Sequence, residues 1–151
     1  MSGNQLVAFL RARYDELQAQ QEDVFAAWHS PDCESVPDGW GRETGACNCG
    51  VPAQVLRDVE AKRLLLEQAV TSRHHISADQ YETCPRATAA DGLDTITLGA
   101  LEELNEERRQ EDGVEPECWE SCGRDARVRR TLELLALPYS DHPGYEEAWR
   151  P

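Results

Sequence analysis

Six cysteines and four histidines are the residues of this 151-residue chain whose chemistry is most specific. The cysteines fall into two groups along the sequence, and each group has a histidine near it. Four thiolate and imidazole groups together are what a tetrahedral structural zinc site requires. The pattern therefore favours structural zinc over the alternatives, which are free thiols, disulfides and an iron–sulfur centre.

The first candidate metal site consists of His29, Cys33, Cys47 and Cys49. His29 precedes Cys33 by four positions, which would place both on one face of a fraying helix end. Cys47 and Cys49 form a Cys-x-Cys pair that can hold one ion between two thiolates.

The second candidate metal site takes Cys84, Cys118, Cys122 and one of two adjacent histidines, His74 or His75. The sequence leaves the choice between these histidines open. In both sites a metal would cross-link polar loops that packing cannot hold, so that binding energy becomes folding energy. Four protein ligands leave no open position for water, which predicts a stabilising role without catalysis.

Sequence signatures of catalysis are missing. The chain has no glycine-rich phosphate loop, no Gly-x-Ser-x-Gly elbow and no His-Glu-x-x-His motif. Acid pairs such as Glu102 with Glu106 share a helix face, but they are typical of a solvated surface because catalysis needs a concave, partly dry site. We therefore expect a protein that is not an enzyme.

The charge of the chain argues against direct nucleic-acid binding. Fifteen basic and 29 acidic residues leave a net charge of −14, which repels phosphate backbones and anionic membrane surfaces. No segment approaches the ~20 apolar residues of a membrane span, and the N-terminus does not fit a secretory signal. We expect a cytoplasmic protein whose thiols stay reduced or bind metal.

Hydrophobic periodicity predicts a mainly α fold. It consists of a small helical bundle, with a long helical hairpin, one or two further helices, cysteine-rich loops and an aromatic C-terminal tail. A single domain over residues 1–151 would contain a cysteine-containing loop at 30–51 and a partly irregular acidic insert at 71–123. The expected helices cover residues 4–28, 52–70, 98–111 and 125–137, and residues 95–97 would be a short extended piece.

Aromatic residues are dense in the C-terminal tail, where Tyr139, Tyr145 and Trp149 occur. We expect these side chains to pack on the core, with binding of a partner protein as the alternative, because amphipathic aromatics serve both purposes. His142 lies in the turn-forming stretch SDHPG and is expected to be a hydrogen-bonding turn residue.

Three stretches resemble one protein family: LVAFLRARYDE near the N-terminus, VLRDVEAKRLLLE in the second helix and LELLALPYSDHPGYEEAWRP at the C-terminus. Together they are similar to a family of small proteins of unknown function from actinobacteria and their phages. The resemblance covers about a third of the chain and implies a helical hairpin closed by a third helix and an aromatic tail. It implies no activity, cofactor or catalytic residue. The loop SPDCESVPDGWGRETGACNCGV and the acidic insert depart from the family pattern.

Three functions follow as hypotheses. The first is a non-enzymatic, zinc-stabilised helical interaction or accessory protein of an actinobacterium or its phage, acting on an unidentified protein partner. The second is an acidic inhibitor that mimics nucleic acid and occupies the basic site of a DNA-binding enzyme, as the net charge and the run of acids at 102–120 would allow. The third is a zinc-dependent hydrolase, which would need an open metal position.

Overall fold

The computed structural model describes residues 2–36 and 45–151. Four α-helices occur in this part of the chain: α1 (Ser2–Glu22), α2 (Val51–Val70), α3 (Thr95–Asp112) and α4 (Arg124–Ala136). Short 3-10 turns occur at Ala89–Asp91, between α2 and α3, and at Leu137–Tyr139 and Glu147–Trp149, after α4. The described residues contain no β-strand, so the prediction of a mainly helical fold is confirmed. Residues 37–44 of the predicted loop at 30–51 lie outside the described residues.

The chain divides into two compact units. Unit 1 comprises Met1–Glu67 and Leu132–Pro151, and unit 2 comprises Gln68–Thr131. Within the described ranges, every helix is too short or too polar to cross a bilayer.

In unit 1, α1 and α2 form an antiparallel hairpin. Arg11 pairs with Glu67 at 2.8 Å, and Arg63 pairs with Asp15 at 2.6 Å, so the residue numbers fall along α2 as they rise along α1. Exposed ion pairs of this kind contribute little stability. The buried apolar residues of this unit hold it together: Leu6, Leu10, Tyr14, Cys33, Val59, Leu66, Leu132, Ala136 and Trp149.

The C-terminal aromatic residues pack around Phe9 of α1. The Phe9 ring lies 5.1 Å from Trp149, 6.2 Å from Tyr139 and 6.3 Å from Tyr145, measured between ring centroids. Trp149 is only 4% exposed. The tail is thus part of the apolar interior of unit 1, and partner binding by its aromatic residues stays a prediction.

The first helix ends earlier than the periodicity predicts. The expected end was Trp28, but α1 stops at Glu22. The Asp23 carboxylate accepts a hydrogen bond from the Phe25 N–H at 2.9 Å, and this local turn competes with the helix. Val24 and Trp28, which the periodicity assigns to the buried face, are 78% and 48% exposed.

The third helix begins earlier than expected. Residues 95–97 were predicted to be extended, but they form the first turn of α3. The Asp94 side chain accepts a hydrogen bond from the Thr97 N–H at 2.8 Å and so caps the helix there. This cap makes the extended prediction wrong.

Candidate metal centres

The first cluster forms between the end of α1 and the start of α2. His29 and Cys33 lie in the turns after α1, beyond the helix end where they were expected, and Cys47 and Cys49 lie just before α2. The His29 Nδ1 atom is 3.5, 3.4 and 3.6 Å from the sulfurs of Cys33, Cys47 and Cys49. The Cys33–Cys47 and Cys47–Cys49 sulfur pairs are 3.8 and 3.7 Å apart.

These distances are those of a tetrahedral ligand shell. A tetrahedral ion with Zn–S bonds of about 2.3 Å and Zn–N bonds of about 2.0–2.1 Å has S···S edges of about 3.8 Å and S···N edges of about 3.6 Å. A disulfide would need sulfurs about 2.05 Å apart, and all six cysteines are free. The first cluster therefore fits one metal ion held by three thiolates and one imidazole.

Hydrogen bonds hold the two halves of the first cluster together. The Glu34 N–H donates to Asn48 Oδ1 at 3.1 Å, and the Glu34 carbonyl accepts from the Gly45 N–H at 2.9 Å. Ser35 Oγ lies 3.0 Å from the Cys33 sulfur and 3.1 Å from His29 Nδ1. The Cys33 segment is thus fixed beside the Cys-x-Cys segment.

The second cluster belongs to unit 2 and combines His74, Cys84, Cys118 and Cys122. The His74 Nδ1 atom is 3.4, 3.6 and 3.7 Å from the sulfurs of Cys84, Cys118 and Cys122. The same comparison with a tetrahedral shell applies, because these edges again match about 3.6 Å. The second cluster can bind a metal ion in the same way as the first.

Of the two adjacent histidines, His74 joins the second cluster and His75 does not. The His75 N–H donates to the Cys122 sulfur at 3.2 Å, and its carbonyl accepts from the Cys84 N–H at 3.0 Å. The backbone of His75 therefore holds two cysteines in place, while the imidazole of its neighbour faces their sulfurs.

Asp91 orients the backbone that carries His74. Its carboxylate accepts hydrogen bonds from the N–H groups of His74 and Thr88, both at 2.7 Å. Burial raises the pKa of Asp91, but these hydrogen bonds outweigh it and leave the pKa below its usual range. The ionised carboxylate thus connects the backbone of His74 to the start of the 3-10 turn at Ala89–Asp91.

Asp125 contacts the far side of the His74 ring, with 3.4 Å between its Oδ1 and the ring Nε2. A carboxylate on the outer nitrogen of a metal-binding histidine fixes the ring orientation and makes the other nitrogen a better ligand. Arg124 donates to Asp125 at 2.9 Å and to the carbonyls of Ser72 and Val70. The start of α4 is therefore connected to the loop that carries His74.

Both clusters end in a cysteine followed by a glycine and a helix. Gly50 follows Cys49 with φ +72°, and Gly123 follows Cys122 with φ +64°, a backbone conformation that side chains disfavour. The helices α2 and α4 begin at the next residues. The N-terminal N–H groups and the dipole of a helix stabilise negative charge, and these clusters carry three potential thiolates each.

The pKa values of the thiols reflect these surroundings. The hydrogen bond from Ser35 lowers the pKa of Cys33 to about 5. Burial raises the pKa of Cys122, but the N–H groups of His75 and Arg124 outweigh it and bring the pKa to about 6. Burial raises the pKa of Cys84 to about 11. A bound cation would favour the thiolate form of all of them.

The two clusters differ in burial. In the first, Cys47 is exposed and only Cys33 is buried. In the second, Cys84 and Cys122 are 0% and 8% exposed and belong to the apolar core of unit 2. The first cluster thus holds surface segments, whereas the second forms part of a core.

The second cluster is framed by α3. Leu101 packs in the same buried group as Cys84, and the Asn105 side chain donates to the Pro85 carbonyl at 2.8 Å. The Arg108 guanidinium lies 5.4 Å from the centre of the Trp119 ring. These contacts connect the helix to the segments on both sides of the cluster.

A family described as a family of unknown function, DUF6221, matches residues 3–151. The chain belongs to this family. The prediction of membership in a family of unknown function is thereby confirmed. No curated protein and no solved structure matches this DUF6221 chain.

Sequence reasoning about the DUF6221 chain missed the residues that position the ligands: Ser35, Gly50, Asp91, Gly123 and Asp125. A local signal exists for the glycines, since both clusters end in Cys-Gly directly before a helix. The TAAD stretch that ends at Asp91 has the spacing of a capping box. His142, predicted as a turn residue, accepts a hydrogen bond from the Gly144 N–H at 2.9 Å.

Proposed function

We propose that this DUF6221 chain is a non-enzymatic, zinc-stabilised helical protein that binds another protein, as an accessory protein of an actinobacterium or its phage. The observation that carries the proposal is the convergence of two sets of three cysteines and one histidine at tetrahedral distances. The origin rests on the sequence resemblance, and the reducing cytoplasm is the compartment in which such thiolates persist.

Zinc is proposed because the donor set suits it. Thiolate-rich ligands select zinc, copper(I) or iron–sulfur clusters, and a mixed sulfur and nitrogen tetrahedron is typical of zinc. The protein would hold one ion through His29, Cys33, Cys47 and Cys49 and the other through His74, Cys84, Cys118 and Cys122. When bound, zinc would supply cross-links between segments that are far apart in sequence.

A structural role is favoured over a hydrolytic one. Each cluster offers four protein donors, which fill a tetrahedral shell and leave no position for an activated water. The nucleic-acid mimic is not favoured either, because it rests only on the net charge and on the run of acids at 102–120.

Native mass spectrometry together with elemental analysis of tag-free protein tests the proposal. We expect two zinc ions per chain, and we expect unit 2 to unfold when a strong chelator removes them. His74→Ala should retain one ion, whereas the matched control His75→Ala should retain two, because only the first imidazole faces the sulfurs. A fully folded, metal-free protein that a chelator leaves unchanged would refute the zinc proposal.

A further inference from the structure

An exposed apolar groove lies beside the first cluster. Val24, Phe25, Trp28 and Val36 line it, together with Ser35 and His29, and its volume is about 580 Å³. Phe25 is 96% exposed and Val24 is 78% exposed. A single exposed apolar residue needs no explanation, but several around one concave surface are typical of a binding site.

One wall of the groove is ordered before any partner arrives. The Phe25 N–H donates to Asp23, and the N–H groups of Ala26 and Ala27 donate to the Asp23 carbonyl at 3.1 and 2.9 Å. The Trp28 N–H donates to Gln21 Oε1 at 3.0 Å. A preordered wall lowers the entropic cost of binding.

The segment of chain that lines the groove is acidic. From Gln18 to Val36 the sequence contains four acids and no lysine or arginine. The four acids, Glu22, Asp23, Asp32 and Glu34, are all exposed. Charge complementarity therefore favours a partner with basic residues beside its apolar ones, and it disfavours a second copy of this chain, whose net charge is −14.

The other wall of the groove depends on the first cluster. Ser35 lies against the Cys33 sulfur and the His29 ring, and the Val36 N–H donates to the Cys33 carbonyl at 3.0 Å. A metal ion on Cys33, Cys47 and Cys49 would therefore hold this wall in position. Without the metal ion, only the hydrogen bonds of Ser35 and Val36 would hold this wall of the groove in place.

We infer that this groove binds an amphipathic, basic segment of another protein, with apolar side chains in the groove and Lys or Arg beside the acids, and that it does so only with metal in the first cluster. The inference rests on the proposed function, because it assigns the interaction surface of a zinc-stabilised protein. Binding of this kind resembles the docking of amphipathic helices into apolar grooves of other proteins, where charged residues select the partner.

A displayed library of random peptides, selected on the zinc-loaded protein, provides the probe. The selected peptides should combine apolar residues at three- and four-residue spacing with Lys or Arg. The tightest peptide should bind Phe25→Ala at least tenfold more weakly. The matched control Ile96→Ala, whose side chain is 87% exposed in unit 2, should bind it like the wild type. Cys47→Ser, which removes an exposed ligand candidate, should abolish binding.

Four results would overturn the inference: selected peptides that are acidic, equal affinity for Phe25→Ala and wild type, undiminished binding after chelation, or a dimer that Phe25→Ala converts to a monomer. Zinc content is measured on the same samples. Two zinc ions with no selected peptide would refute the groove and leave the zinc proposal intact. If the protein contains no zinc, the metal content alone refutes the zinc proposal. The same result refutes the inference that the groove needs metal to bind its partner.

Discussion

Replacement of Cys84 by serine should unfold unit 2. The Cys84 side chain is 0% exposed and packs with Ala87, Leu93 and Leu101. This buried group contains few apolar side chains, and two of its five buried residues are cysteines of the second cluster. The substitution therefore removes a proposed zinc ligand and leaves a hydroxyl in a buried position.

The size of the effect follows from the zinc contribution. Structural zinc in small domains contributes an apparent ~10–16 kcal/mol, and a buried hydroxyl without its partner costs about 1–3 kcal/mol more. The whole free energy of unfolding of a typical domain is only about 5–15 kcal/mol. Losing the ion should thus leave unit 2 unable to fold on its remaining apolar contacts.

Circular dichroism and hydrogen exchange would measure the result. Unit 2 contains all 18 residues of α3, Arg124–Thr131 of α4 and Gln68–Val70 of α2, which together are about 40% of the α-helical residues described. Far-ultraviolet ellipticity should fall by about that share, and the amides of α3 should lose their protection from exchange. Native mass spectrometry should show one zinc ion fewer than in the wild type.

Cys47→Ser is the matched control. Cys47 is an exposed member of the other cluster, and the hairpin of α1 and α2 has its own buried residues. This variant should also lose one zinc ion but keep its helical signal and the protection of α3. If Cys84→Ser keeps full ellipticity with one zinc ion fewer, the reasoning that the second ion replaces apolar core is refuted.

Two further predictions concern residues that position the second cluster, and a third concerns the apolar interior of unit 1. Asp125→Asn should weaken zinc binding by the second cluster about tenfold in a chelator competition. Loss of a carboxylate partner of a metal-binding histidine lowers metal affinity about 10–100-fold, and we expect the smaller effect because Asp125 lies 3.4 Å from the His74 ring. An unchanged affinity would contradict this prediction. Asp91→Asn should lower the free energy of unfolding by about 1.5–3 kcal/mol near neutral pH, because it removes the negative charge and replaces one of the two acceptor oxygens by an NH2 donor. The Asp91 pKa is depressed on folding, so its contribution is present above the ordinary value of about 3.9 and is lost as pH falls through the folded value. Denaturant titrations of variant and wild type should therefore converge in acid, and a constant difference would refute this. Trp149→Ala should cost about 3–5 kcal/mol in the same titrations, since the ring is 4% exposed and packs on Phe9; a loss as small as that of the exposed Tyr81→Ala would refute it.

The helices were predictable because each buries one stripe of apolar residues at helical spacing. Periodicity located α2 to within one residue of its start, at Val51. It failed at the ends of α1 and α3, where the side chains of Asp23 and Asp94 decide the boundary by binding backbone N–H groups. Such local competition leaves no trace in the spacing of apolar residues.

The composition of the clusters was visible in the sequence, but their arrangement was not. Nothing in the residue types separates His74 from His75, because they are adjacent and identical. The distinction depends on Asp91, 17 residues away, which accepts the His74 N–H. The exposed groove was also missed, since Val24 and Trp28 continue the apolar spacing of α1 although the helix has already ended.

The different burial of the two clusters suits them to different roles in the proposed function. In unit 2 the thiols of Cys84 and Cys122 lie where apolar side chains would otherwise be, so a metal ion there substitutes for core. In unit 1 the helical hairpin has its own buried residues, and the ion is not needed for that packing. What the first cluster can hold is the segment of Ser35 and Val36 against the turn that carries Phe25. Metal binding for stability alone does not account for the group of exposed apolar side chains beside that site, which are Val24, Phe25 and Trp28. With metal bound as proposed, the exposed cluster would shape a binding surface, whereas the buried cluster would keep its own unit folded.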